Sequence, residues 1–142
     1  MNIEQQPQDK LEVIDRLKAC GITPTQQRVE IAQILFARPQ HVSAEQVLAI
    51  VNAHGAVVSK ATVYNTLGLF AREGLVREVI VDPTKVFYDS NTGPHHHFYN
   101  VDTGALTDID AGELALNDLP ALPEGTMAEA VDIIIRVRAD QG

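Results

Sequence analysis

Cysteine is nearly absent from this 142-residue chain: Cys20 stands alone, which excludes an internal disulfide and any zinc site assembled from cysteine pairs. Long apolar runs are missing too. No stretch approaches the roughly 18 apolar residues that cross a bilayer, so no membrane partner is expected. The opening MNIEQQPQDK carries neither a basic leader nor an apolar core, and a cytoplasmic location is expected from it. Basic residues are scarce, 11 Lys and Arg against 19 Asp and Glu, for a formal net charge of −8. There is no internal repeat and no low-complexity stretch. What remains, 45% hydrophobic and 21% charged residues, is the makeup of a folded soluble protein, and the length allows one ordinary core or two small ones.

The acidic excess is unevenly spread. Residues 1–88 hold nine Lys and Arg against nine Asp and Glu, whereas residues 89–142 hold two against ten. One half can therefore approach a polyanion such as DNA, and the other attracts cations.

Periodicity divides the chain in the same way. Leu11, Ile14 and Leu17 at helical spacing, with Gly21 as a stop, predict a helix over residues 9–20. Thr23-Pro24 predicts the cap and first position of a second helix, whose buried side is Val29, Ala32, Leu35 and Phe36 and which Pro39 ends. Ser43 with Gln46 reads as a capping box opening a third helix with Val47, Leu48 and Val51 inward, stopping near His54-Gly55. Ser59 caps a fourth, which runs to Arg72 and ends at Gly74. Then the period changes: Leu75–Val81 and Lys85–Asp89 read as strands around the turn Asp82-Pro83-Thr84. Helices followed by a hairpin are the order of a winged helix-turn-helix.

Ser90-Asn91-Thr92-Gly93-Pro94 reads as a linker. Beyond it, Phe98–Val101 and Ala105–Ile109 predict a hairpin around Asp102-Thr103-Gly104, Leu114–Leu119 a short helix, and the alternation from Val131 to Arg138 a half-buried strand. The predicted fold is α+β: a winged helix-turn-helix over residues 1–88, a hinge at 89–94, and a small α/β dimerisation domain over 95–142. That last domain has too little core to stand alone, so pairing with a second copy is expected.

Five pieces stand in order along the chain: Gly21-Ile22-Thr23-Pro24-Thr25-Gln26-Gln27-Arg28, His41-Val42-Ser43-Ala44-Glu45, Ala61-Thr62-Val63-Tyr64-Asn65-Thr66-Leu67, Gly74-Leu75-Val76 and His95-His96-His97. Together they resemble the signature of the ferric uptake regulator family. Within it, Lys85-Val86-Phe87-Tyr88-Asp89, the His triplet with Phe98-Tyr99, and Leu122-Pro123-Glu124-Gly125 look closest to the iron response regulators. The resemblance implies a metal-dependent transcription repressor that binds a palindromic, A/T-rich operator in double-stranded DNA as a homodimer, and not an enzyme.

In a winged helix the second helix of the turn enters the major groove, where all four base pairs differ. Here that is residues 59–72, with Lys60, Thr62, Tyr64 and Asn65 as groove contacts; the resemblance points to Tyr64 as a base contact. Lys18, Arg28, Arg77 and Lys85 are candidate phosphate contacts.

His95-x-His97 puts two imidazoles on one side of an extended chain, and with carboxylates they make a site suited to Fe(II), Mn(II) or Zn(II). The resemblance implies a sensing site of His41, Asp89, His95, His97 and Asp108. An aspartate at 108 is the residue of the peroxide-sensing relatives, in which bound Fe(II) and peroxide oxidise a ligand histidine, here His41 or His95. The triplet His95, His96 and His97 also resembles a haem-responsive motif. Two departures follow from the chain. Asn100 and Thr103 stand where the family's structural zinc has its first cysteine pair, so no structural zinc of the all-cysteine kind is expected, and Pro94 stands where a second metal site begins. Two other readings stay open: a haem- or metal-binding module without DNA binding, and a non-haem iron oxygenase built on His95, His97 and Asp108.

Overall fold

The computed structural model describes residues 9–38, 40–53, 55, 58–93, 95–110, 112–114 and 118–141. The chain divides into two compact units, Met1–Thr92 and Gly93–Gly142.

The first unit holds α1 (Lys10–Ala19), α2 (Gln26–Leu35), β1 (His41–Val42), α3 (Ala44–Ala53), α4 (Lys60–Arg72), β2 (Arg77–Asp82) and β3 (Lys85–Asp89). Asp9 caps α1 by accepting the Leu11 N–H at 2.9 Å. The buried stripe of α1 is Val13 and Leu17, with Ile14 beside it, whereas Leu11 is 73% exposed. Leu11 precedes Val13 by two residues, which puts it on nearly the opposite side of a 3.6-residue turn.

The cap of α2 is Thr25 rather than Thr23: its hydroxyl accepts the Arg28 N–H at 3.3 Å. Arg28 Nη1 also donates to the Thr23 carbonyl at 2.9 Å, which holds residues 23 and 24 in the approach to the helix instead of its first turn. The predicted inner side, Val29, Ala32, Leu35 and Phe36, is buried. At the other end Gln40 Nε2 donates to the carbonyls of Ile34 (2.7 Å) and Leu35 (3.3 Å), two of the last-turn acceptors that a helix leaves open. Pro39, the predicted breaker, lies outside the described residues.

The predicted capping box of α3 is formed: Gln46 Oε1 accepts the Ser43 N–H at 2.9 Å and Ser43 Oγ accepts the Gln46 N–H at 3.2 Å. His54 lies outside the described residues, and Gly55 follows with φ +90°. Ser59 caps α4 through the Thr62 N–H at 3.1 Å. Val63, Thr66, Leu67 and Phe70 form its buried face, each of the large apolar ones contributing about 1.5–3 kcal/mol of burial. Gly74, at φ +79°, ends the helix in a conformation that costs a residue with a Cβ more.

Strand β2 starts at Arg77, two residues later than predicted, since Leu75 and Val76 are buried in the turn that leaves α4. The β2–β3 turn closes on Asp82 Oδ1, which accepts the Thr84 N–H at 2.8 Å and the Thr84 hydroxyl at 2.7 Å. Sequence reading missed β1, whose two residues are too few for a periodic signal. It adds to β3, giving a three-stranded sheet of order β1-β3-β2. Helices α3 and α4 with this sheet make the winged helix-turn-helix.

In the second unit, β4 (His96–Asn100) is flanked by antiparallel β5 (Leu106–Ile109) and by β6 (Ile134–Val137), which runs parallel to it. The turn between β4 and β5 is held by Asn100 Oδ1, which accepts from the Asp102 N–H (2.9 Å) and the Thr103 N–H (3.1 Å), with Gly104 at φ +78°. Strand β6 is shorter than the predicted span from Val131, and its faces are not sorted into buried and exposed, Ile134 and Val137 being half-buried and Ile135 exposed. The predicted helix over Leu114–Leu119 is not seen: Leu114, Asp118 and Leu119 are not helical, and residues 115–117 lie outside the described ones.

Candidate metal centre and nucleic-acid interface

Each unit carries a histidine and an aspartate set opposite one another across antiparallel strands. In the first unit β1 pairs with β3 so that His41 faces Asp89. His41 Nε2 lies 3.1 Å from Asp89 Oδ2, and the other carboxylate oxygen, Oδ1, accepts the Asn91 N–H at 2.9 Å. Asp89 is 2% exposed. A carboxylate so far out of water requires positive or donating partners, and sheet register sets His41 of β1 opposite it on one side and Arg77 of β2 on the other. His41 also lines an open cavity of about 460 Å³ with Arg38, Gln40 and Gln46, so the imidazole is reachable.

In the second unit β4 pairs with β5 so that His97 faces Asp108. Asp108 Oδ1 lies 3.2 Å from His95 Nε2 and 3.3 Å from His97 Nε2, and the two rings sit 4.6 Å apart, centroid to centroid, tilted by 60°. Two residues apart on extended chain, His95 and His97 point the same way, as the sequence predicted. His95 Nδ1 lies 2.6 Å from the Gly93 carbonyl. A carbonyl only accepts, so Nδ1 carries a hydrogen toward Gly93, which leaves Nε2 as the ring nitrogen that faces Asp108. One carboxylate oxygen facing two imidazole nitrogens offers donors of the kind that could hold a divalent ion.

His96 turns to the other side of β4, where its Nδ1 accepts the Ile133 N–H at 3.0 Å and so anchors the approach to β6. The triplet is thus split, with His95 and His97 on one side and His96 on the other. Asn100 and Thr103 make the turn described above, and Thr103 Oγ1 also accepts the Ala105 N–H at 3.2 Å. Side-chain oxygens bonded to backbone N–H groups close this turn, and these two residues do not fit a zinc knuckle. Pro94 lies outside the described residues.

On α4, Lys60 and Asn65 are exposed, Thr62 is half-buried with its hydroxyl 2.9 Å from that of Ser59, and Tyr64 is 38% exposed. Lys60 Nζ stands 5.7 Å from the Tyr64 ring centroid, one turn before it. The Tyr64 hydroxyl donates to Glu45 Oε1 at the start of α3. That bond pushes the Tyr64 hydroxyl above its ordinary 10.0 and holds the Glu45 carboxyl below its ordinary 4.5. Burial is the main cause raising Tyr88, in the wing. Lys18 and Lys85 are exposed, and Arg77 and Arg28 are half-buried, Arg28 committed in part to Thr23. Sequence reading missed Glu45, since a bond across 19 residues has no local signal.

The model of the ferric uptake regulator family matches residues 19–123. A peroxide-responsive repressor, PerR, of Staphylococcus aureus (strain Mu50 / ATCC 700699) is 28% identical over 114 residues, covering 80% of this chain and 77% of that protein. Among solved structures, the ferric uptake regulator from Pseudomonas aeruginosa with manganese matches at TM-score 0.67 and 27% identity, over 89% of this chain and 97% of that one. The ferric uptake regulator from Francisella tularensis with iron matches at TM-score 0.67 and 22% identity, over 84% and 92%, which is a likeness of fold.

Proposed function

The chain belongs to the ferric uptake regulator family, and from that premise we propose that it is a metal-dependent, DNA-binding transcription repressor in which His41, Asp89, His95, His97 and Asp108 hold one Fe(II) or Mn(II) ion. The observation that carries the reading is Asp108 Oδ1 facing two imidazole Nε2 atoms, one with its Nδ1 hydrogen committed elsewhere. The first unit offers two donors and the second three. Neither number alone fills the four to six positions that such ions take, and five together do. Bound there, the ion would supply the positive charge that the carboxylates of Asp89 and Asp108 attract.

The chain's own residues do the rest. Asp89 and Asp108 bring the negative charge, and Gly93 fixes the His95 tautomer. Metal and DNA would then favour the same state of the protein, so that each tightens the binding of the other. The winged helix offers Lys60, Thr62, Tyr64 and Asn65 to base edges and Lys18, Arg28, Arg77 and Lys85 to phosphates. The second unit leaves Leu119, Leu122, Val131 and Ile135 exposed, apolar side chains that a second copy could cover.

The test is a mobility shift on A/T-rich palindromic duplexes with chelator-stripped protein, alone and with Mn(II) or anaerobic Fe(II). A metal-dependent shift is expected, and no shift under any condition would overturn the reading. Peroxide is the signal that the aspartate at 108 and the Staphylococcus relative favour. Mass spectrometry of iron-loaded protein after peroxide should find added oxygen on His41 or His95, and unmodified histidines would remove peroxide as the signal. An oxygenase is not favoured: such enzymes enclose substrate in a barrel, and the described strands of the second unit form one three-stranded sheet.

A further inference from the structure

We propose that Glu45 is a positioning residue for sequence reading: its carboxylate takes the hydroxyl of Tyr64, so that Tyr64 presents its ring, not its hydroxyl, to a base pair. The inference rests on the proposal that α4 reads DNA. Tyr64 is the one large aromatic on the exposed side of α4 and has a single polar group. Left unpaired, that hydroxyl would turn toward any acceptor on a purine edge and tolerate several bases. Bonded to an ionised carboxylate it has a partner stronger than a neutral acceptor, and the ring is held from its far end. Lys60, over the same ring at 5.7 Å, confines it from the helix side. A phenyl edge so fixed suits the thymine methyl and offers nothing to the other bases.

Glu45 also brings a negative charge to a surface that meets phosphates. Its presence therefore weakens binding to every duplex alike while sharpening the choice among them. Two effects of one carboxylate can be separated, because glutamine keeps the acceptor oxygen and loses the charge, whereas alanine loses both.

The experiment uses the full-length, manganese-loaded protein, an A/T-rich palindromic duplex that it shifts, and an unrelated duplex, followed by fluorescence anisotropy. Thymines are replaced singly by uracil, which removes only the methyl. In the wild type one symmetric position should weaken about 4-fold, the scale of one buried methyl group. Glu45→Ala should reduce that penalty below about 2-fold and tighten binding to the unrelated duplex, while Glu45→Gln restores the penalty and keeps the tighter background. In a Tyr64→Phe background Glu45→Ala should change the penalty no further. Equal melting temperatures of Glu45→Gln and wild type control for folding. A thymine preference unchanged in Glu45→Ala, or absent from the wild type, overturns the inference and leaves the regulator reading intact; a wild type that shifts no duplex removes both.

Discussion

Asp89→Asn exchanges one oxygen for nitrogen in a side chain that is 2% exposed. In metal-free protein the change removes the charge pair with His41 at 3.1 Å, but also the cost of keeping a carboxylate out of water, and the amide oxygen can still accept the Asn91 N–H. Removing one side of a buried pair leaves its partners uncompensated, so apo stability should fall, by up to about 3–5 kcal/mol, and each protein's metal effect is read against its own apo form. The metal term is separate. Loss of a supporting hydrogen bond around a metal costs about 10–100-fold in affinity, and loss of a charged ligand should reach at least the upper figure, about 2.7 kcal/mol. At manganese equal to about 100 times its Kd the wild type gains about 2.7 kcal/mol, or about 5–11 °C in Tm for a chain of this size. The variant, at the same concentration, sits near its own Kd and gains about 0.4 kcal/mol, about 1–2 °C. Thermal shift and calorimetric titration of chelator-stripped proteins measure both numbers. Equal manganese shifts in the two proteins would refute Asp89 as a ligand.

Ser59→Ala removes the acceptor for the Thr62 N–H and the partner of the Thr62 hydroxyl. A cost of about 1 kcal/mol, read as a fall of about 2–4 °C in Tm, is expected, with weaker operator binding as the first turn of α4 loosens; an unchanged Tm would contradict the cap. The tyrosines give a pH test. Tyr64 and Tyr88 are both raised above 10.0, Tyr64 chiefly by its bond to Glu45 and Tyr88 chiefly by burial. A raised acid contributes stability that is complete below its unfolded value and declines as pH rises through its folded one, so stability should fall above pH 10. Ultraviolet titration of Tyr64→Phe should lose one late-ionising tyrosine, and Glu45→Gln should bring Tyr64 down; identical curves in all three proteins would show that the bond is not made in solution. Ile135→Asp should shift the sedimentation of the protein toward the monomer, and an unchanged assembly would exclude this strand from the contact.

Local signals were the ones legible in the sequence. The capping box of Ser43 and Gln46, the Ser59 cap, the left-handed Gly74 and the Asp82 turn each act within three or four residues, and each is found where it was read. The side-by-side pointing of His95 and His97 was legible for the same reason. What could not be read is what strand pairing decides: β1 is two residues long, and its existence depends on β3 almost fifty positions away. Register then sets His41 against Asp89 and His97 against Asp108, a match that composition and spacing leave open and that only the resemblance suggested. The Tyr64–Glu45 bond is of the same kind. Where two local signals competed, as at Thr23 and Thr25, a side chain from the next turn decided between them.

Parallel pairing of β6 with β4 has a bearing on the order of assembly. A hairpin such as β4–β5 can close within its own few residues, but a parallel partner must return over a long crossover, and such distant contacts form slowly. On the ribosome, β4 is synthesised well before residues 134–137 exist, and until they arrive one of its edges offers bare N–H and C=O groups to any passing strand. The nascent second unit is thus the segment for which a chaperone holding extended chain would matter, while the helices of the first unit are already free to form.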